Sequence, residues 1–124
     1  MNQLLAIAVG GAAGAVLRFL ASNGVYGLLG RGFPYGTLAV NVGGSFLMGL
    51  GYIWLLERST LGPEWRALLL VGLLGAFTTF STFSIETLQL LLGGEWLKAV
   101  LNMLLSVILC LLAVWIGVIG ARGL

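Results

Sequence analysis

The sequence predicts an all-α membrane protein with four transmembrane helices, and three observations carry that class. The 124 residues are 60% hydrophobic and only 8% charged, with a mean hydropathy of +1.10. A soluble domain carries about 25% charged residues, so ten charges cannot clothe a water-facing surface of this size. The charges also cluster between uncharged runs long enough to cross a bilayer. Twenty Gly and two Pro on an apolar background argue against a disordered or collagen-like chain. One Cys and no His exclude an intramolecular disulfide framework and the usual zinc and hydrolase constellations. A single domain over residues 1–124 is expected, in a lipid bilayer and without a nucleic-acid partner.

About 20 apolar residues at 1.5 Å each cross a hydrocarbon core of about 30 Å. The first run is Met1 to Leu17, closed by Arg18. Met1-Asn2-Gln3 is uncharged, unlike the basic start of a signal peptide, so this run reads as a retained helix. The second run is Gly32 to Leu56, with Gly36–Leu56 as a full span. The third, Ala67 to Ile85, meets Glu86 just past its end and continues as the apolar Thr87–Leu92. The fourth is Ala99 to Ala121. Pro34, Pro63, Glu57, Arg58, Glu64, Arg66, Glu95 and Lys98 fall between spans. Trp54, Trp65, Trp96, Tyr26 and Tyr35 lie near span ends, where interfacial aromatics collect.

Basic residues orient membrane proteins by accumulating in cytoplasmic loops. Here Arg58, Arg66 and Arg122 share one side and Arg18, Arg31 and Lys98 the other. That balance points to insertion in both orientations and an antiparallel homodimer, against the plainer reading of one weakly biased topology.

Helix two carries Thr37, Asn41, Ser45 and Gly49 at spacings of four, on one face. Its glycines, with Gly10-x-x-x-Gly14 in helix one, read as packing surface. Asn41 has two readings, an interhelical hydrogen bond or a ligand donor. In helix three, five of the seven residues from Thr78 to Ser84 carry hydroxyls and the others are Phe80 and Phe83. Hydroxyls bonding back to their own helix loosen its ladder, and Gly72 and Gly75 weaken it further. A break near Gly75–Thr79 would free backbone groups at membrane depth, as transporters do at ion sites. The plainer reading is a kinked helix with self-satisfied hydroxyls. Helix four bears Asn102, Ser106 and Cys110 at the same four-residue spacing, a donor-bearing track. Arg18 is open between snorkelling to the interface and an electropositive vestibule. Glu86 is open between facing water and joining a pathway.

The polar supply is hydrogen-bond donors, Asn41, Thr79, Ser81, Thr82 and Ser106, with no carboxylate at mid-membrane. Ring edges of Phe80 and Phe83 carry weak positive potential. Such a lining suits a small anion without naming it. A small dual-topology multidrug exchanger of protons for organic cations is the alternative, and it calls for an acidic residue deep in helix one. That stretch is Gly10 to Leu17 followed by Arg18.

Three segments resemble the signatures of the Fluc/CrcB fluoride channels: Gly10-Gly11-x-x-Gly14-Ala15-x-x-Arg18-Phe19, Gly36-Thr37-Leu38-x-Val40-Asn41-x-x-Gly44-Ser45-Phe46-x-x-Gly49, and Gly72-x-x-Gly75-x-x-Thr78-Thr79-Phe80-Ser81-Thr82-Phe83-Ser84. The resemblance implies a fluoride-selective, passive channel of the bacterial inner membrane, a multi-pass protein and not an enzyme. It implies an antiparallel homodimer with two pores. Phe80, Phe83 and Asn41 match the family's pore residues, and Asn102, Ser106 and Cys110 fall on its helix-four track. Gly75 and Thr78 match positions whose backbone carbonyls would hold a structural Na⁺ between subunits. Arg18 and Glu86 match family positions of less defined role.

Overall fold

A computed structural model describes residues 2–58 and 60–123; Met1, where the first uncharged run begins, lies outside them. Among the described residues, four helical stretches are long and apolar enough to cross a membrane: Asn2–Leu29, Tyr35–Glu57, Pro63–Leu92 and Trp96–Gly123.

Helix α1 runs Asn2–Leu29, through Arg18 rather than ending there. One cation does not break a helix whose next eleven residues, Phe19 to Leu29, carry no charge. The end is set by Gly30, at φ +83°, whose N–H donates to the Tyr26 carbonyl at 2.8 Å. A left-handed glycine there closes the orphan carbonyls of the last turn. Helix α2 spans Tyr35–Gly51 and continues as wider π-type turns over Tyr52–Glu57. The Arg58 N–H closes that segment on the Ile53 carbonyl at 3.0 Å.

The third stretch starts with α3, Pro63–Arg66, with Pro63 in its first turn, where a missing N–H costs nothing. Thus Pro63, Glu64 and Arg66 belong to this helix and not to a loop. A π-type segment, Ala67–Leu74, leads into α4, Gly75–Phe77. Thr78 (φ −88°, ψ 158°) and Thr79 (φ −153°, ψ 123°) are extended. Helix α5 then runs Phe80–Leu92, so Glu86 sits inside a helix and not past the end of one. The apolar Thr87–Leu92 continues the same ladder. Gly94, at φ +79°, and the Glu95 N–H bonded to the Leu90 carbonyl at 2.8 Å close α5. Helix α6 covers Trp96–Gly123.

Packing follows the small residues, since apolar lipid offers no hydrophobic drive for helices to associate. A Cβ on Gly10 would strike the Leu68 carbonyl, and one on Gly14 the Leu73 carbonyl. From the facing side, a Cβ on Gly72 would lie 2.8 Å from the Ile7 carbonyl. The backbones of α1 and the Ala67–Leu74 segment therefore touch. Gly49 lies against the Val114 carbonyl and Gly117 against that of Phe46, which seats α2 on α6. A Cβ on Gly43, by contrast, would meet nothing within 4 Å, so that glycine packs against no described helix of this chain. The apolar exterior is broad: Phe19, Leu28, Leu92 and Leu111 are all exposed. Trp54, Trp65, Trp96 and Tyr35 are exposed near helix ends, whereas Tyr26 is buried because its hydroxyl has internal partners.

Candidate functional site

The site is built around the two extended residues between α4 and α5. In an unbroken helix the Thr79 N–H would return to the Gly75 carbonyl, four residues back. Instead it donates to Asn41 Oδ1 at 2.7 Å, and Asn41 Nδ2 donates to the Thr79 carbonyl at 2.9 Å. One side-chain amide on α2 thus satisfies both backbone groups of Thr79. Asn41 makes the interhelical hydrogen bond, and its amide carries a second Nδ2 proton beyond the one given to Thr79.

The threonines fold inward on the same junction. Thr78 Oγ1 donates to the Leu74 carbonyl at 3.1 Å. Thr79 Oγ1 caps α5, accepting the Thr82 N–H at 3.3 Å, and donates to Thr82 Oγ1 at 3.1 Å. A hydroxyl acceptor at a helix start satisfies an orphan N–H. Ser84 and Thr87 hydroxyls donate to the Phe80 and Phe83 carbonyls at 2.9 and 2.7 Å. Most of these hydroxyls therefore have their proton committed within the helix.

A groove of about 410 Å³ opens beside the junction. Asn41, Ser45 and Met48 line it from α2, Thr79, Phe80 and Phe83 from the junction and α5, and Ser106, Cys110 and Val114 from α6. The Phe80 and Phe83 rings stand 5.3 Å apart at 43°. Gly44 lets the wall close in, since a Cβ there would strike the Thr78 methyl. Among the described residues lining the groove none is charged.

The structure therefore brings together Asn41, Thr78, Thr79, Phe80, Phe83, Ser106 and Cys110. Ser81 and Thr82 are not in the groove wall: Ser81 is exposed, and Thr82 is tied to the Thr79 cap. Asn102, 1% exposed, lies behind the wall, its Nδ2 donating to Thr87 Oγ1 at 2.9 Å. Gly75 is exposed within α4. Met48 is a lining residue that the polar pattern does not single out, although it extends the Asn41–Ser45 face at the helical spacing of three to four.

Glu86 and Tyr26 form a separate polar cluster. The Tyr26 hydroxyl donates to Glu86 Oε2 at 2.8 Å and lies 3.3 Å from Thr37 Oγ1. Arg31 stacks over the Tyr26 ring, 4.5 Å from its centroid. Tyr26 and Glu86 are sixty residues apart, and no local motif announces the pair. Arg18 Nε and Glu86 Oε1 are buried without a hydrogen-bond partner.

A groove of neutral donors and aromatic edges, set among four described helices of membrane length, defines a helical membrane protein with a polar recess among its spans. Residues 5–118 match the family model described as CrcB-like protein, Camphor Resistance (CrcB), and the chain belongs to that family. It is 62% identical over 122 residues to a protein of Methylococcus capsulatus named fluoride-specific ion channel FluC, covering 98% of this chain and 54% of that one. This chain spans about half the length of that relative. A protein of the same name from Shewanella amazonensis is 62% identical over 117 residues, 94% of each chain. One from Geobacter sulfurreducens is 54% identical over 124 residues, all of both chains. This is a multi-pass membrane protein.

Proposed function

We propose that the chain is a fluoride-selective channel that lets fluoride leave the cytoplasm passively, giving resistance to it. The observation that carries this reading is the groove, whose neutral donors and phenylalanine edges surround a path free of carboxylates. The names of its relatives supply the ion. Fluoride is small and strongly hydrated, so it enters only where donors replace water. It moves on only where each site holds it weakly. The spare Asn41 N–H, the Ser45 and Ser106 hydroxyls and the rims of Phe80 and Phe83 supply such sites, a ring being positive at its edge. Cys110 contributes a weaker donor. Arg18 and Glu86 are not among the residues that line the groove, and Glu86 is held by Tyr26 in the separate cluster. Fluoride accumulates in acid-bathed cells because HF crosses the bilayer and ionises inside, so a passive exit suffices.

The working unit in this reading is an antiparallel homodimer in the bacterial inner membrane, with two pores. Its support lies in α5, where Thr87 is the buried residue while Phe80, Ser81 and Ser84 are exposed. Polar groups at membrane depth need cover from protein or water, and a second copy supplies it. The interruption at Thr78–Thr79 then lies near mid-membrane, between the two subunits. A structural Na⁺ fits there: Asn41 takes the Thr79 N–H and so releases the Gly75 carbonyl, and Thr78 is extended. Backbone carbonyls are suitable ligands for a hard cation. Gly75 and Thr78 of both copies would hold it, and when bound it supplies fixed positive charge at the dimer axis.

Growth tests this reading. Cells without their own fluoride exit routes, expressing the chain at acid pH, are expected to tolerate fluoride that stops cells carrying Asn41→Asp. Equal sensitivity of the two strains contradicts the fluoride assignment. Labelling of a C-terminal tag in spheroplasts is expected to reveal two populations, and a single one contradicts the inverted dimer.

A further inference from the structure

Behind the groove, buried polar groups join its two walls. Thr87, 6% exposed, donates its hydroxyl proton to the Phe83 carbonyl at 2.7 Å. The same oxygen accepts from Asn102 Nδ2 at 2.9 Å. Asn102 Oδ1 in turn accepts from Ser106 Oγ at 3.4 Å. Phe83 and Ser106 line the groove, whereas Thr87 and Asn102 do not.

Counting protons sets the direction of this chain. A hydroxyl has one proton, and that of Thr87 is committed to Phe83. Toward Asn102, Thr87 is an acceptor only, so the amide must present its NH₂ to Thr87 and its oxygen to Ser106. Ser106 is then the donor of the last pair. Its 3.4 Å separation is long beside the usual O–H···O distance of about 2.7–2.8 Å. The Ser106 proton is therefore loosely held and free to turn toward a better acceptor in the groove.

We propose that Thr87 is a positioning residue of the anion pathway: it holds the Asn102 amide oxygen toward Ser106, where the Ser106 proton rests between passing anions. This rests on the groove being the fluoride path. The donor is lent to an arriving ion and withdrawn as the ion departs, which favours passage over capture.

Thr87→Val keeps the β-branched shape and removes the hydroxyl. The Asn102 amide then lacks an acceptor for its NH₂, turns over and donates to Ser106 Oγ, leaving the Ser106 proton pointed permanently into the groove. In fluoride efflux from vesicles, the half-saturating fluoride concentration is expected to fall about fivefold, with the maximal rate falling too, as a tighter site empties more slowly. Thr87→Ser restores both. The side-chain ¹⁵N–¹H resonances of Asn102, assigned by their loss in Asn102→Asp, shift in Thr87→Val and not in Thr87→Ser. A lower rate at unchanged half-saturation would mark a purely structural role and overturn the proposal. Unshifted Asn102 resonances in Thr87→Val overturn it equally. Wild-type vesicles that release no fluoride overturn the channel reading instead, and the amide resonances still decide whether Thr87 orients Asn102.

Discussion

Asn41 and Thr79 are joined by two hydrogen bonds, Thr79 N–H to Oδ1 at 2.7 Å and Nδ2 to the Thr79 carbonyl at 2.9 Å. The amide copies the pairing of a peptide unit, and it lets the chain depart from helical geometry between α4 and α5 with both backbone groups of Thr79 satisfied. At membrane depth, irregular backbone is tolerated only where its polar groups find partners in protein or in a water-lined cavity, and this pairing supplies such partners for Thr79. The same residue stands in the groove wall, so the support of the junction and the lining of the groove are one side chain.

Asn41→Ala is expected to lower stability by about 1–3 kcal/mol, the cost of leaving a buried polar group unpaired, read as a lower melting temperature in detergent. Asn41→Asp retains the acceptor for the Thr79 N–H but sets a carboxylate against the Thr79 carbonyl and into the anion path. Fluoride efflux is expected to fall at least about tenfold for a like charge in a narrow, low-dielectric route.

The glycine contacts separate into two kinds. Gly14→Ala drives a Cβ into the Leu73 backbone, which cannot swing aside as a side chain would. A loss of about 1–3 kcal/mol is expected from such overpacking. Gly120→Ala meets nothing within 4 Å and is expected to stay within about 0.5 kcal/mol of the parent. Thermal melts of the two purified variants check the contrast.

Cys110 is the chain's one cysteine, half-buried in the groove wall. A small methanethiosulfonate reagent is therefore expected to cut fluoride efflux by at least about fivefold, by placing its adduct in the groove. Cys110→Ser vesicles are expected to be unaffected by the reagent. Inhibition that persists in Cys110→Ser would place the reagent's action outside the groove.

Tyr26→Phe removes the donor to Glu86 and the partner of Thr37 while keeping the ring that Arg31 stacks on. A loss of about 1 kcal/mol is expected for the missing hydrogen bonds. In a double-mutant cycle with Thr37→Val, the two changes are expected to be non-additive by about 0.5 kcal/mol or more, as for residues in one network. Denaturation in detergent measures both.

The number of spans and the glycine seams are legible in the residues, because bilayer thickness and backbone contact impose long uncharged runs and small side chains. Helix ends are less so. Arg18 reads as a boundary in the sequence, yet the helix stops twelve residues later, at Gly30, where the backbone turns left-handed. Glu86 reads as terminal for the same reason, and it is carried inside α5 because Tyr26, distant in sequence, provides its hydrogen bond. In the site, the four-residue spacing places Asn41 and Ser45 on one face and Ser106 and Cys110 on another. Spacing does not tell that Ser81 faces outward while Thr82 serves a cap, because that depends on where α5 restarts. Nor does it show that Asn102 turns behind the wall to reach Thr87, a pairing between helices.

Fluoride selectivity is the central claim, and efflux from liposomes loaded with KF or KCl tests it most directly. With a potassium ionophore present, a fluoride electrode is expected to register rapid release from KF vesicles. A chloride electrode is expected to register release no faster than from protein-free KCl vesicles, and Phe80→Ile is expected to suppress the fluoride signal. Equal fluoride and chloride release, or no release from vesicles shown to contain the folded protein, would contradict the account.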